Sequence, residues 1–104
     1  MAFIEVTDAT FASFKANSCC ILTFTSPWCS ACKKLYPFIE GLAHEFKDRV
    51  VFGSMDISVS PRVPAEFKIF SIPAALLLID GEETRRFSGA FSIQDLRKAL
   101  IETL

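Results

Sequence analysis

The sequence is poor in charge and in cysteine, and each shortage excludes a class of protein. Only 22% of the 104 residues are charged, and 11 Lys and Arg against 12 Asp and Glu give a net charge of −1. Nucleic-acid binding requires a clustered positive field, and the basic runs here are no longer than Lys33-Lys34 and Arg85-Arg86. Four cysteines are too few for a secreted mini-protein held together by disulfides. We therefore exclude both classes.

Long apolar runs are also lacking. The densest apolar stretch extends from Ile69 to Ile79 and contains Ser71 and Pro73. A membrane-spanning helix needs about 20 apolar residues, so this stretch predicts a buried strand. Residues 1–5 have neither the basic nor the apolar region of a signal peptide, and we expect a cytoplasmic protein. Paired cysteines in that compartment are typically catalytic or metal-binding.

Apolar residues make up 51% of the chain, and 11 residues are Phe. Disordered chains have low hydrophobicity or high net charge, so this composition predicts a folded protein. The length suits one domain, residues 1–104, whose core needs no metal or disulfide scaffold.

Strands and helices alternate along the chain. Strands are predicted at Phe3–Val6, Cys20–Thr25, Val50–Asp56, Ala74–Ile79 and Thr84–Phe87. The Asp80-Gly81 pair predicts a tight hairpin between the last two strands.

Four helices complete the pattern. Thr7 or Asp8 is expected to cap the first helix, and Ser92 the last. A short helix is expected between Pro61 and Phe67. The long second helix has an apolar stripe of Leu35, Phe38, Ile39, Leu42, Ala43 and Phe46. The order β-α-β-α-β-α-β-β-α predicts an α/β fold, a mixed sheet of about five strands flanked by about four helices.

Cys29 and Cys32 lie directly after a predicted buried strand, at the start of the long helix. At this spacing the two sulfurs share a face and can close a local disulfide. The helix N-terminus favours an anion, so the thiol pKa of Cys29 should fall and its thiolate should be the attacking nucleophile. Cys32, one turn deeper, would be the resolving thiol.

The same spacing occurs in zinc sites, which need two further ligands. The remaining candidates are Cys19, Cys20 and His44. Adjacent cysteines in a strand point to opposite faces, and His44 lies about three helical turns beyond Cys32, on the solvated side. We therefore expect no metal site and assign Cys19 and Cys20 to the core.

Three segments resemble the thioredoxin family. Pro27-Trp28-Cys29-Ser30-Ala31-Cys32-Lys33 is similar to the active-site segment of that family, Ser71-Ile72-Pro73 to its cis-proline loop, and Ser88-Gly89-Ala90 to its glycine loop. The resemblance covers essentially the whole chain and implies a thioredoxin fold. It also implies that Pro73 is cis and lies beside the dithiol, and that the backbone of Ile72 pairs with substrate.

The resemblance implies a small substrate groove. Its expected residues are Trp28, Ser30, Ala31, Ile72, Pro73, Gly89 and Ala90, and Trp28 is expected to be a partly exposed lid beside Cys29. Seven Phe residues fit core-facing positions, namely Phe11, Phe14, Phe24, Phe38, Phe46, Phe52 and Phe67. Phe70 and Phe91 flank the groove, and we assign them to the core as well.

The implied function is that of a thiol–disulfide oxidoreductase that reduces protein disulfides through a Cys29–Cys32 couple. The chain has no glycine-rich nucleotide motif, and we expect no bound cofactor. The family therefore implies recycling by a reductase, a flavoprotein using NADPH. A monomer is expected. Two alternatives stay open, a disulfide oxidase or isomerase, and a non-catalytic adaptor or metal or iron–sulfur binder.

The sequence departs from the family pattern where protons are transferred. Thr23 stands where thioredoxins usually carry a buried Asp that assists Cys32, and Ser54 replaces the Lys that often partners it. Losing both is self-consistent, because an unpaired buried charge is costly. Asp56 is a candidate substitute, and Lys33 is a candidate for tuning the thiolate.

These departures set two expectations. Without a general base, Cys32 should resolve the mixed disulfide slowly. The dipeptide between the cysteines is Ser30-Ala31 and contains no His to stabilise the thiolate, which favours a reductant.

Overall fold

The computed structural model describes residues 3–89 and 91–104, and its elements follow the predicted order. The five strands are β1 (Phe3–Glu5), β2 (Cys19–Thr25), β3 (Val51–Asp56), β4 (Ala74–Ile79) and β5 (Glu82–Ser88). The four helices are α1 (Phe11–Lys15), α2 (Ser30–Glu45), α3 (Arg62–Glu66) and α4 (Ile93–Thr103). The strand bounds lie within one or two residues of the predicted ones. In the part of the chain that is described, no helix is both long and apolar enough to cross a membrane.

The strands form one mixed sheet in the order β1-β3-β2-β4-β5. β3 runs parallel to both β1 and β2, whereas β4 is antiparallel to β2 and to β5. The predicted hairpin joins β4 to β5, and both of its central residues have positive φ, 52° at Asp80 and 82° at Gly81. This is the backbone geometry that tight hairpins require. The α/β fold predicted from the sequence is therefore confirmed.

Helices cover the sheet on both faces and bury two separate cores. α2 and α4 pack on the face that includes Cys19 and Ile21, and α1 and α3 pack on the face that includes Cys20 and Leu22. Side chains alternate between faces along a strand, which explains why neighbouring cysteines enter different cores. Both cysteines are free and buried, as predicted.

Two phenylalanines assigned to the core are exposed. Phe38 on α2 is 60% exposed, because it borders an open cleft at the edge of the apolar stripe. Phe70 is 88% exposed and lies in the loop between α3 and β4, where no periodicity directs a side chain inward. The core assignment of these two residues was wrong.

The expected cap of α1 was also wrong. The N-cap is Thr10, whose side chain makes no capping hydrogen bond. Asp8 instead caps α3, because its carboxylate accepts hydrogen bonds from the backbone N–H groups of Arg62 and Val63, both at 2.9 Å. These partners lie more than 50 residues away in sequence, so local pattern could not reveal them. The predicted cap of α4 is confirmed, since Ser92 Oγ accepts from the N–H of Gln94.

The cap changes the ionisation of Asp8. Burial would raise the pKa of this carboxyl, but the hydrogen bonds from Val63 and Arg62 and the charge of Arg62 hold it below its ordinary value. Asp8 thus joins the segment before α1 to the start of α3 most strongly when it is ionised.

Replacing Asp8 by Ala should lower the free energy of unfolding near neutral pH, because two backbone N–H groups lose their acceptor. Since the folded pKa is depressed, the carboxylate stabilises the fold above about pH 3.9 and ceases to do so as the pH falls through its lower folded value. Urea unfolding followed by circular dichroism between about pH 7 and pH 3 measures this.

The difference in urea midpoint between wild type and Asp8→Ala should be largest near neutral pH and should decrease as the pH is lowered. Asp48→Ala, on the exposed turn after α2, is the matched control. A difference that persists undiminished to about pH 3, or one no larger than that of the control, would contradict the cap.

Candidate redox site

A disulfide joins Cys29 and Cys32, with 5.3 Å between their Cα atoms. It lies where the chain passes from the central strand to the longest helix. β2 ends at Thr25, and α2 begins at Ser30 with Cys29 as its N-cap. The carboxyl end of a buried strand therefore delivers the pair to the edge of the sheet.

Cys29 uses its sulfur as a helix cap. Its backbone is extended, with φ −87° and ψ 101°, and its Sγ accepts a hydrogen bond of 3.1 Å from the N–H of Cys32. The sulfur thus takes the place that a Ser or Asp oxygen usually occupies, facing unpaired N–H groups at the positive end of the helix. Such a position favours an anionic sulfur once the disulfide is reduced.

The two cysteines differ in access to solvent. Cys29 is partly exposed, whereas Cys32 is only 8% exposed. A large partner can therefore approach Cys29 more easily than Cys32. Trp28, beside Cys29 in sequence, is 74% exposed.

The predicted groove residues in the described part of the chain lie in the first turn of α2 and in three loops. The Ile72–Pro73 peptide bond is cis, as the resemblance implied. Pro73 lines one cavity with Cys32 and an adjoining cleft with Ala31, so the loop does lie beside the dithiol. Gly89 adopts a positive φ of 67° in the loop after β5. Ala90 lies outside the described residues.

A cavity of about 80 Å³ lies against Cys32, on the inner side of the disulfide. Thr23 lines it, and the hydroxyl of Thr23 donates a hydrogen bond of 3.1 Å to the carbonyl of Gly53. The described residues that line it are Phe3, Thr23, Phe24, Thr25, Cys32, Leu35, Tyr36, Ile39, Ser54, Pro73, Ala74 and Phe91. These include hydroxyl groups but no carboxylate.

Asp56 lines the adjoining cleft and not this cavity. Its Oδ1 accepts hydrogen bonds from Ser58, 2.9 Å from the backbone nitrogen and 2.6 Å from the hydroxyl. Thr25, Tyr36 and Ser54 line both spaces. Thr23 and Cys32 thus line the same cavity, whereas Asp56 lines the adjoining cleft.

Lys33 lies on the exposed surface of α2 in its first turn. Its backbone N–H donates to the carbonyl of Cys29 at 3.2 Å. Ser30 and Ala31, between the cysteines, are also exposed.

Sequence reasoning missed two features of the site. Ser26 is buried, and among the described residues its hydroxyl has no hydrogen-bond partner. An apolar cleft adjoins the dithiol, with Ala31, Leu35 and Phe38 on one side and Phe91 on the other. The spacing of the three α2 residues, i, i+4 and i+7, is a signal that could have identified this cleft.

Cys19 and Cys20 lie away from this chemistry. Burial raises the thiol pKa of Cys19. Burial, with a contribution from Cys19, raises the pKa of Cys20 to about 12. Within the described residues, no group of three or more His, Cys, Asp or Glu is placed to hold a metal ion.

Comparison with known proteins agrees with the resemblance found in the sequence. The family model Thioredoxin matches residues 2–102. The thioredoxin of Mycobacterium tuberculosis is 33% identical over 91 residues, which cover 86% of this chain and 78% of that protein. The thioredoxin of Staphylococcus aureus is 28% identical over 100 residues, which cover 96% of each chain.

A further relative is a fusion protein. The bifunctional thioredoxin reductase/thioredoxin of Mycobacterium leprae is 33% identical over 89 residues, which cover 84% of this chain but only 19% of that protein. The chain thus spans a small part of the length of this relative.

Iodoacetamide should distinguish the exposed cysteine from the buried ones after reduction of the protein. At pH about 7 we expect Cys29 to be modified first, because the thiolate reacts and Cys29 is accessible. Cys19 and Cys20 should react more than about 100-fold more slowly in the folded protein than in urea, owing to burial and raised pKa values. Peptide mass spectrometry reads out the modified sites. Equal labelling of Cys20 and Cys29 in the folded protein would contradict this assignment.

Proposed function

The chain belongs to the thioredoxin family of protein thiol–disulfide oxidoreductases, and we propose that it works as a reductant of protein disulfides through Cys29 and Cys32. The observation that carries the proposal is the asymmetry of the pair. Cys29 is partly exposed and caps the helix with its sulfur, whereas Cys32 is buried. This is the arrangement that a nucleophile and a resolving thiol require.

The first step is attack by the Cys29 thiolate on one sulfur of a protein disulfide. A Cys29–substrate disulfide forms, the substrate S–S bond breaks, and the released substrate thiolate takes a proton from solvent. The Cys32 N–H that caps Cys29, together with the helix dipole, favours the thiolate before attack.

In the second step Cys32 loses its proton and attacks the Sγ of Cys29. The mixed disulfide breaks, the second substrate sulfur leaves and is protonated, and two electrons have passed to the substrate. The product is the Cys29–Cys32 disulfide found here. Because Cys32 is buried, it attacks the mixed disulfide on Cys29 more readily than it attacks the disulfide of a second substrate molecule.

The residues between the cysteines support the reductant over an oxidase or isomerase. A strong oxidant stabilises its reduced form, often through a cation beside the thiolate. Ser30 and Ala31 carry no charge, and both are exposed. A redox potential measured against glutathione distinguishes the two directions, since an oxidase has the higher potential.

The proposal requires a source of electrons. A flavoprotein reductase using NADPH would return the disulfide to the dithiol, and the relative named as a bifunctional thioredoxin reductase/thioredoxin supports a partner of that kind. This chain then needs no cofactor of its own. Reduction of protein disulfides fits a reducing compartment, and we place the protein in the cytoplasm.

The substrate would lie in the groove beside Cys29. The residues that we propose to form this groove are Trp28, Ser30, Ala31, Ile72, Pro73, Gly89 and Ala90. Trp28 supplies exposed aromatic surface next to the nucleophile. The backbone of Ile72 would pair with an extended substrate segment, in the manner of strand addition.

Two serine substitutions test the roles of the cysteines. Cys29→Ser should abolish reduction of a protein disulfide by dithiothreitol-reduced protein, a loss of more than about 100-fold, because a hydroxyl is a far weaker nucleophile than a thiolate. Cys32→Ser should instead accumulate mixed disulfides with substrate, seen as a mass increase that dithiothreitol removes. Cys20→Ser is the control and should leave the rate unchanged. Activity retained by Cys29→Ser would overturn the assignment.

The cavity at Cys32 generates a second test. Thr23→Asp places a carboxylate where the family usually carries one, and the added base should accelerate resolution of the mixed disulfide by about tenfold or more. Burial of an unpaired charge should also lower the urea midpoint. Thr23→Asn, of similar shape but without a basic oxygen, is the control. Stopped-flow decay of a preformed mixed disulfide gives the rates, and equal rates in wild type and Thr23→Asp would refute the missing-base argument.

A further inference from the structure

The loop between α3 and β4 is bound by a side chain from the last strand of the sheet. This loop, residues 67–73, carries the exposed Phe70 and ends at the cis Ile72–Pro73 bond beside the dithiol. Arg86 of β5 reaches across to it. Arg86 has no part in the chemistry proposed above, and no sequence motif pointed to it.

The guanidinium of Arg86 binds the backbone at the start of the loop. Its Nη2 donates to the carbonyl of Phe67 at 2.6 Å, and its Nη1 donates to the carbonyl of Lys68 at 3.3 Å. Phe67 is the C-cap of α3, and Lys68 has a positive φ of 56°, so the chain turns out of the helix at these residues. Helix C-terminal carbonyls have no intrahelical partner, and Arg86 supplies the donors.

Glu83 fixes the same guanidinium from the other side. Arg86 Nε donates to Oε2 of Glu83 at 2.9 Å, and Nη2 donates to Oε1 at 2.8 Å, which makes a bidentate pair. A paired Arg fork has few accessible orientations. The carbonyls of Phe67 and Lys68 therefore meet donors whose positions are already set.

A β-bulge makes this pairing feasible. Residues three apart in a regular strand point to opposite faces of the sheet. In the β4–β5 ladder Leu77 pairs with Arg85 and Leu78 pairs with Glu83, so Thr84 is the extra residue. Bulges re-aim side chains in this way, and the bulge brings Glu83 and Arg86 to one side.

The anchored loop presents Phe70 to solvent. Phe70 is 88% exposed and lines a cleft that Arg86 also lines. A loop that must meet a protein partner binds more tightly when its binding conformation is already populated.

We propose that Arg86, fixed by Glu83 across the bulge, is a positioning residue that preorganises loop 67–73 so that Phe70 and Ile72 contact protein substrates. The proposal rests on the proposed function, because it concerns substrates of the Cys29–Cys32 site. In this role Arg86 contributes to substrate affinity and does not change the reactivity of the Cys29 and Cys32 sulfurs.

The test is the split between KM and kcat for reduction of insulin disulfides, with dithiothreitol as the electron source. Arg86→Met should raise KM about three- to tenfold and change kcat by less than about twofold. Reaction of the reduced protein with a small aromatic disulfide should keep its wild-type rate, because that probe is too short to pair with the loop as an extended protein segment does. Arg85→Met removes the same charge one residue away and should leave KM unchanged.

Two further variants make the test specific. Arg86→Lys keeps the charge but loses the fork, so it should show most of the KM increase. Phe70→Ser should raise KM by itself. In the double variant with Arg86→Met, the fold-increase in KM should be smaller than the product of the two single fold-increases, since both residues act through one loop.

The results separate the possibilities. Equal KM values for Arg86→Met and Arg85→Met, full rescue by Arg86→Lys, or multiplicative effects with Phe70→Ser would each overturn the positioning role. If circular dichroism shows Arg86→Met to be unfolded, Glu83→Gln tests the same pair and should raise KM alone. A wild-type protein that does not reduce insulin would refute the proposed function itself, before any variant is compared.

Discussion

Burial of β2 on both faces is the constraint on which the rest of the structure depends. A central strand so apolar must be covered twice, and the four helices provide that cover in pairs. The same strand fixes the chemistry, because the chain that leaves its carboxyl end enters α2 with Cys29 as the cap. A sulfur in the cap position then faces the unpaired N–H groups of the helix. The redox site is thus a consequence of how a buried strand joins a helix.

Cover on both faces also determines what surrounds the second cysteine. Thr23 of β2 lines the same cavity as Cys32, and its hydroxyl donates a hydrogen bond to the carbonyl of Gly53 on the neighbouring strand. A carboxylate there would need a partner or would remain protonated. The pair Thr23 and Ser54 avoids that cost with neutral hydroxyls. Asp56, with its oxygen bound to Ser58, belongs to the adjoining cleft. Neutral hydroxyls thus avoid the cost of burying an unpaired carboxylate, but they leave the cavity at Cys32 without a base.

Most of the fold could be predicted from the sequence, because apolar periodicity reports which faces are buried. The element order, the Asp80-Gly81 hairpin and the separation of Cys19 from Cys20 all follow from the period of a strand or the geometry of a turn. Periodicity failed where burial depends on a distant element. Phe38 continues the stripe of α2 but has only an open cleft beside it. Asp8 has the sequence context of a local cap, yet it binds α3.

The pair of Glu83 and Arg86 shows the same limit most clearly. Their spacing of three residues in a strand predicts opposite faces, and only the extra residue at Thr84 reverses this. A bulge is defined by the register of two strands, so it leaves no signature in the sequence of one. Once the register is known, the consequence is direct: Glu83 and Arg86 meet, and the guanidinium of Arg86 also donates to the carbonyls of Phe67 and Lys68 at the end of α3. The loop beside the dithiol therefore depends on an irregularity at the far edge of the sheet, although no residue of that edge takes part in disulfide exchange.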